Sequence, residues 1–128
     1  MRAVVLLVLT LSLLGCGHDI PIYRFAPQQW NDVVVTIEAR PGPTAGSVCE
    51  FLIMASFANN TPAHSIRVSI RMNEQGPWKQ AIQDGMVGVY RRSDRVNNLD
   101  TDVLNIQLKR KDSDQEGVLR FALKDRKV

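Results

Sequence analysis

The sequence predicts an all-β domain, and three observations carry that reading. Apolar residues alternate with polar ones at a period of two over several short runs. Clusters of Gly, Pro, Asn and Asp cut those runs apart at short intervals. Beyond residue 16, no stretch repeats its apolar residues at helical spacing.

The first run, VVVTIE, sets Val33, Val35 and Ile37 on one face, with Val34, Thr36 and Glu38 opposite. The turn-rich residues 40–47 end it. VCEFLIMASF then puts Cys49, Phe51, Ile53, Ala55 and Phe57 on one face. Leu52 and Met54 on the other face predict a central strand covered on both sides. After the loop Asn59-Asn60-Thr61-Pro62, Ile66, Val68, Ile70 and Met72 alternate with Ser65, Arg67, Ser69 and Arg71. WKQAIQ and MVGVYRR flank Asp84-Gly85, which predicts two strands joined by a two-residue hairpin. VLNIQLKR and VLRFAL close the chain, with Leu104, Ile106 and Leu108 on one face, then Leu119, Phe121 and Leu123. About seven short strands of this kind fit an antiparallel β-sandwich of immunoglobulin-like type.

The chain of 128 residues suffices for one domain of ordinary size. With 45% hydrophobic and 23% charged residues, collagen-like, low-complexity and disordered classes are excluded. A net charge of +3 is too small an excess to imply nucleic-acid binding.

The first residues read differently from the rest. Met1-Arg2 is a short positive start, and residues 3–14 form an apolar run interrupted by Thr10 and Ser12. A membrane helix needs about 20 apolar residues, so this run fits the core of a signal peptide instead. Leu13-Leu14-Gly15-Cys16 resembles the bacterial lipobox. The resemblance implies cleavage before Cys16, a diacylglyceryl group on its thiol and acylation of the new amino terminus. Gly17 in place of Asp implies sorting to the outer membrane. The predicted organisation is a signal peptide over 1–15, a lipidated tether and lead-in segment over 16–32, and a β-sandwich domain over 33–128. Pro21 and Pro27 break any helix in the tether, while Tyr23, Phe25 and Trp30 are apolar enough to place part of it on the domain, with Trp30 as anchor. With Cys16 lipidated, Cys49 is left single and an intramolecular disulfide is not expected.

A second resemblance covers roughly residues 33–123. The first strand is followed by Pro41-Gly42-Pro43, then come an apolar central strand, a strand ending near Met72, and Asp84-Gly85 leading to Gly88-Val89-Tyr90. This order resembles the YtkA-like small extracytoplasmic sandwich domains. In those domains a Met/His segment after the third strand is linked to copper handling. Here that region reads Arg71-Met72-Asn73-Glu74 and lacks the His, so the resemblance implies the fold alone.

Chemistry-bearing residues are sparse. His18, Cys49, Met54, His64, Met72 and Met86 include no pair at metal-motif spacing, so no metal or other cofactor is expected. Cys49 shares a face with Phe51 and Ile53, which predicts a buried, inert thiol. Asp100 and Asp102 are spaced to share a face at a strand start, but a solvated loop explains them as well. Arg91, Arg92 and Arg95 end one strand, and Lys109, Arg110 and Lys111 end another. As antiparallel neighbours these strands would carry the two clusters to opposite ends of one sheet. Arg67 and Arg71 share a face, with Glu50 nearby. The candidate contact residues are Trp78, Tyr90, Arg91 and Arg92, at a loop end or along an exposed strand edge. The expectation is a non-enzymatic binding or accessory module. It is held by its lipid anchor at the periplasmic face of the outer membrane and contacts another envelope protein. The alternative is a periplasmic small-ligand or copper-binding lipoprotein.

Overall fold

A computed structural model describes residues 20–128. The signal peptide, Cys16, Gly17 and His18 lie outside the described residues.

Ten strands form, in chain order β1 (Tyr23–Arg24), β2 (Gln28–Trp30), β3 (Val33–Ala39), β4 (Val48–Phe57), β5 (Ile66–Met72), β6 (Lys79–Gln80), β7 (Ile82–Gln83), β8 (Val89–Arg95), β9 (Val103–Arg110) and β10 (Glu116–Ala122). A single 3-10 turn, Leu123–Asp125, follows. All strand pairings are antiparallel. The first sheet runs β1-β3-β4-β8-β7, with β2 also on β3. The second runs β10-β9-β5-β6. The fold is all-β, a sandwich of two antiparallel sheets.

The period-two runs explain the core. Val33, Val35, Ile37, Phe51 and Ile53 of the first sheet face Ile66, Val68, Ile70, Leu104, Ile106 and Leu108 of the second, and all are buried. Each fully buried side chain of this size contributes roughly 1.5–3 kcal/mol relative to exposure, so these alternations hold the two layers together. β4 is central in its sheet, between β3 and β8. Among the described residues no further layer covers its outer face, however: Leu52 and Met54 are only half-buried. They are sheltered by cross-strand neighbours, Leu52 by Glu38 and Arg91, Met54 by Thr36 and Val89.

Three segments take a form that local alternation does not show. Tyr23 to Trp30 adds two short strands to β3, interrupted at Phe25, Ala26 and Pro27. Trp30 packs against the core, and Gly117 leaves the space that its indole fills.

WKQAIQ is not one strand. It breaks at Ala81, with Lys79-Gln80 on the second sheet and Ile82-Gln83 on the first. Ala81 is buried and donates its N–H to the Val68 carbonyl at 2.8 Å. A small side chain there lets the chain turn the corner between the layers.

The Asp84-Gly85 hairpin is also wider than two residues. The Asp84 N–H closes on the Val89 carbonyl at 2.9 Å, leaving Gly85, Met86, Val87 and Gly88 in the loop. Gly88 has a φ of +82°, and a Cβ there would lie 2.6 Å from the Ala55 carbonyl oxygen. Only glycine meets both demands, so the chain cannot resume its strand before Val89.

Candidate binding surface

The outer face of the first sheet carries a shallow surface cleft. Cross-strand register sets Leu52, Arg91 and Ile82 side by side on β4, β8 and β7, with Glu50 opposite Ser93 one step along. Paired residues share a face, so these side chains all point away from the core. The cleft has a volume of about 340 Å³ and is lined by Glu50, Ile82, Asp84, Arg91, Arg92 and Ser93 among others. Arg91 organises it: its Nη2 donates to Asp84 Oδ2 at 2.6 Å, and its Nε lies 3.4 Å from Glu50 Oε1. All three side chains are roughly half exposed, so each pair is worth about 0–1 kcal/mol and is open to exchange with a partner's charges.

Apolar side chains are exposed on the same hairpin. Ile82, which lines the cleft, is 68% exposed, and Met86 and Val87, in the loop that follows, are 66% and 49% exposed, all within six consecutive chain positions. Isolated exposed apolar side chains are ordinary, but three on one hairpin beside a charged cleft make a candidate contact surface.

The four contact residues expected from sequence do not form one site. Arg91 and Arg92 both line the cleft. Arg92 alternates to the opposite face of β8 from Arg91, and its Nη1 reaches the Gln80 carbonyl at 3.5 Å. Tyr90 is not at a loop end. It lies within β8, is 6% exposed, and its hydroxyl faces the Ile66 carbonyl at 3.4 Å. Burial raises its pKa above the ordinary phenol value. Trp78 stands elsewhere, half-buried beneath the Arg71 guanidinium, which lies 4.3 Å from the ring centroid. Glu50, Ile82, Asp84, Met86 and Val87 were missed as site residues. The available signal was the pair of glycines around Met86-Val87, which favours a loop over a strand.

No family model, curated protein or solved structure matches this chain.

Cys49 is 3% exposed, with its Sγ 3.7 Å from the Pro41 carbonyl oxygen. Burial, with the Glu50 charge as a lesser cause, pushes its pKa up to about 11. Met72 is buried at the end of β5, Met54 faces outward from β4, and Met86 is in the loop. His64 is exposed and meets the Phe57 ring edge-on at 5.3 Å between centroids. Among the described residues, no three His, Cys, Asp or Glu side chains come together as a metal site.

Asp100 and Asp102 do not act as a pair. Asp100 is exposed, while Asp102 is 4% exposed and turned into the fold. Asp102 accepts from the Asn97 N–H at 2.7 Å, the Asn98 N–H at 3.1 Å and Asn73 Nδ2 at 3.1 Å. Burial pushes its carboxyl pKa up, but these hydrogen bonds outweigh it and hold the group below the ordinary value. Its task is to pin the 97–101 loop against the β5 end.

The basic clusters also separate. β8 and β9 belong to different sheets, so Arg91 and Lys109 are not on neighbouring strands. Glu50 faces Arg91 on the first sheet, while Arg67 and Arg71 are on the second.

Proposed function

We propose that the protein is a lipid-anchored envelope protein acting as a non-enzymatic binding module, attached through Cys16 and contacting another envelope protein at the β7–β8 hairpin. The observation that carries the contact surface is the exposure of Ile82, Met86 and Val87 on the β7–β8 hairpin, with Ile82 lining the Arg91 cleft. The polar groups of that cleft pair with one another, which suits docking against a complementary surface rather than turnover of a substrate. Leu13-Leu14-Gly15-Cys16 supports the anchor, and Gly17 supports the outer membrane, with the domain on its periplasmic face. Several acyl chains at about 0.8 kcal/mol per buried methylene hold such a protein stably where a single chain is marginal.

Two measurements test this reading. Cells fed radiolabelled palmitate should label the wild type and not Cys16→Ser, and equal labelling of both would refute the anchor. Purification from detergent-solubilised envelopes should retain a discrete partner that Ile82→Ser/Met86→Ser loses. A partner retained equally by that variant would refute the hairpin as the contact.

A further inference from the structure

The sheet edges differ in how well they are closed. β6 and β7 are two residues long. β8 continues past the end of β7, but Asp94 Oδ1 takes up the Arg95 N–H there at 2.8 Å. The β1/β2 edge is interrupted at Phe25, Ala26 and Pro27. All of these are devices that stop a strand from pairing with another chain. β10 has none of them: it runs seven residues without a proline or a break.

The outward groups of β10 follow from its register. Arg110 N–H donates to the Gln115 carbonyl and Leu123 N–H to the Asp102 carbonyl, each at 3.0 Å. The odd-numbered residues of β10 therefore exchange hydrogen bonds with β9. The N–H and C=O groups of Glu116, Val118, Arg120 and Ala122 point away from the sheet. Among the described residues, Gln28 Nε2 donates to the Arg120 carbonyl, and the other outward groups have no hydrogen-bond partner.

Side chains along this edge are complementary to themselves. Glu116 stands two residues before Val118 and Arg120 two residues after, all on the outer face. In an antiparallel pair centred on Val118, each Glu116 faces Arg120 of the other copy, and Val118 faces Val118. Every outward N–H and C=O of these three residues then meets a partner, the Arg120 carbonyl exchanging the Gln28 amide for the second copy. A parallel pairing would set Glu116 beside Glu116 instead. Val118 is 39% exposed at the centre of this face.

We infer that β10 is the site where a second copy of this chain docks, joining the two second sheets into one continuous sheet about a two-fold axis at Val118. The occupant is a second copy rather than a foreign strand because the charge pattern repeats about that axis. This surface lies at the opposite edge of the sandwich from the β7–β8 hairpin and does not depend on its role.

Disulfide trapping in the full-length membrane-bound protein tests the register. Val118→Cys, oxidised in native envelopes, should convert most of the chain to a disulfide dimer of twice its mass. Glu116→Cys alone should not, since two copies of residue 116 would stand about 13 Å apart in this register, beyond disulfide reach. A mixture of Glu116→Cys and Arg120→Cys chains should cross-link to each other, which keeps the test valid if Val118→Cys folds poorly. In the Val118→Cys background, Glu116→Lys and Arg120→Glu should each lower the dimer about fivefold or more, and the double variant should restore it. Restoration separates contact between copies from the internal Lys109–Glu116 and Glu74–Arg120 pairs, which the double variant leaves broken. Equal trapping at 116 and 118, no dimer from either design, an adduct with another protein, or no restoration would each overturn the inference.

Discussion

The carboxylate of Asp94, on β8, accepts the backbone N–H of Met72, on β5, at 3.0 Å and so ties the two sheets together at one end of the core. The same group receives Lys79 Nζ at 2.6 Å and the Arg95 N–H at 2.8 Å. Asp94 is 8% exposed and the Met72 N–H it serves is buried, while the Lys79 side chain stays 37% exposed. Asp94→Ala should therefore lower stability by about 1–3 kcal/mol, because it leaves the buried Met72 N–H unpaired, with the solvent-screened Lys79 adding little. Urea unfolding followed by the fluorescence of Trp30 and Trp78 reads this. A loss under about 0.5 kcal/mol would show that the link adds little.

Asp102 makes a prediction with a direction in pH. Its folded-state pKa lies below the ordinary value: burial raises it, and the bonds from Asn97, Asn73 and Asn98 more than compensate. The stabilisation is fully present above the unfolded-state value of about 3.9 and is lost as pH falls through the folded value. Wild type should exceed Asp102→Asn in stability at pH 7, and the gap should narrow steadily below pH 4. A gap that stays constant into acid would contradict the assignment.

Cys49 should be slow to react and should matter at alkaline pH. With its pKa raised from 9.0 to about 11, the folded thiol holds its proton where the unfolded one loses it. Stability should then fall as pH rises above 9, and Cys49→Ala should lessen that slope, leaving the part that the raised Tyr90 phenol contributes. At neutral pH the thiolate fraction is about a hundredfold below that of a free thiol, before burial is counted. Disulfide-exchange reagents should label Cys49 at least that much faster in urea than in the native protein. Rapid native labelling would show an exposed or activated thiol.

The parts of the fold that could be read from sequence are those set by local alternation. β3, β5 and β9 each place apolar residues at every second position, and one buried face is enough to select that pattern. β8 shows no such pattern, because its inward positions include Arg92 and Asp94. They are tolerated there by Gln80, Lys79 and the Met72 N–H, which come from distant parts of the chain. The same holds for Ala81, where the chain changes sheets: the change is set by packing between layers and leaves no periodic trace.

The candidate surface was legible only in part. Arg91 stood out as a charge at a strand end, but its partners Glu50 and Asp84 are brought to it by register. Met86 and Val87 resembled strand residues by composition. The two positive-φ glycines beside them, Gly85 at +66° and Gly88 at +82°, turn them outward instead. Tyr90 misled for a related reason, since an aromatic with a polar tip suits a rim and a core equally well.

Site-specific photo-cross-linking in intact cells tests the central claim most directly. A photoreactive residue at position 87, beside Ile82 and Met86, should give one discrete adduct with an envelope protein. The same probe at Thr44, exposed at the other end of the first sheet, should not, and Ile82→Ser should abolish the adduct at 87. No adduct at 87, or the same adduct from both positions, would contradict a binding module that works through the β7–β8 hairpin.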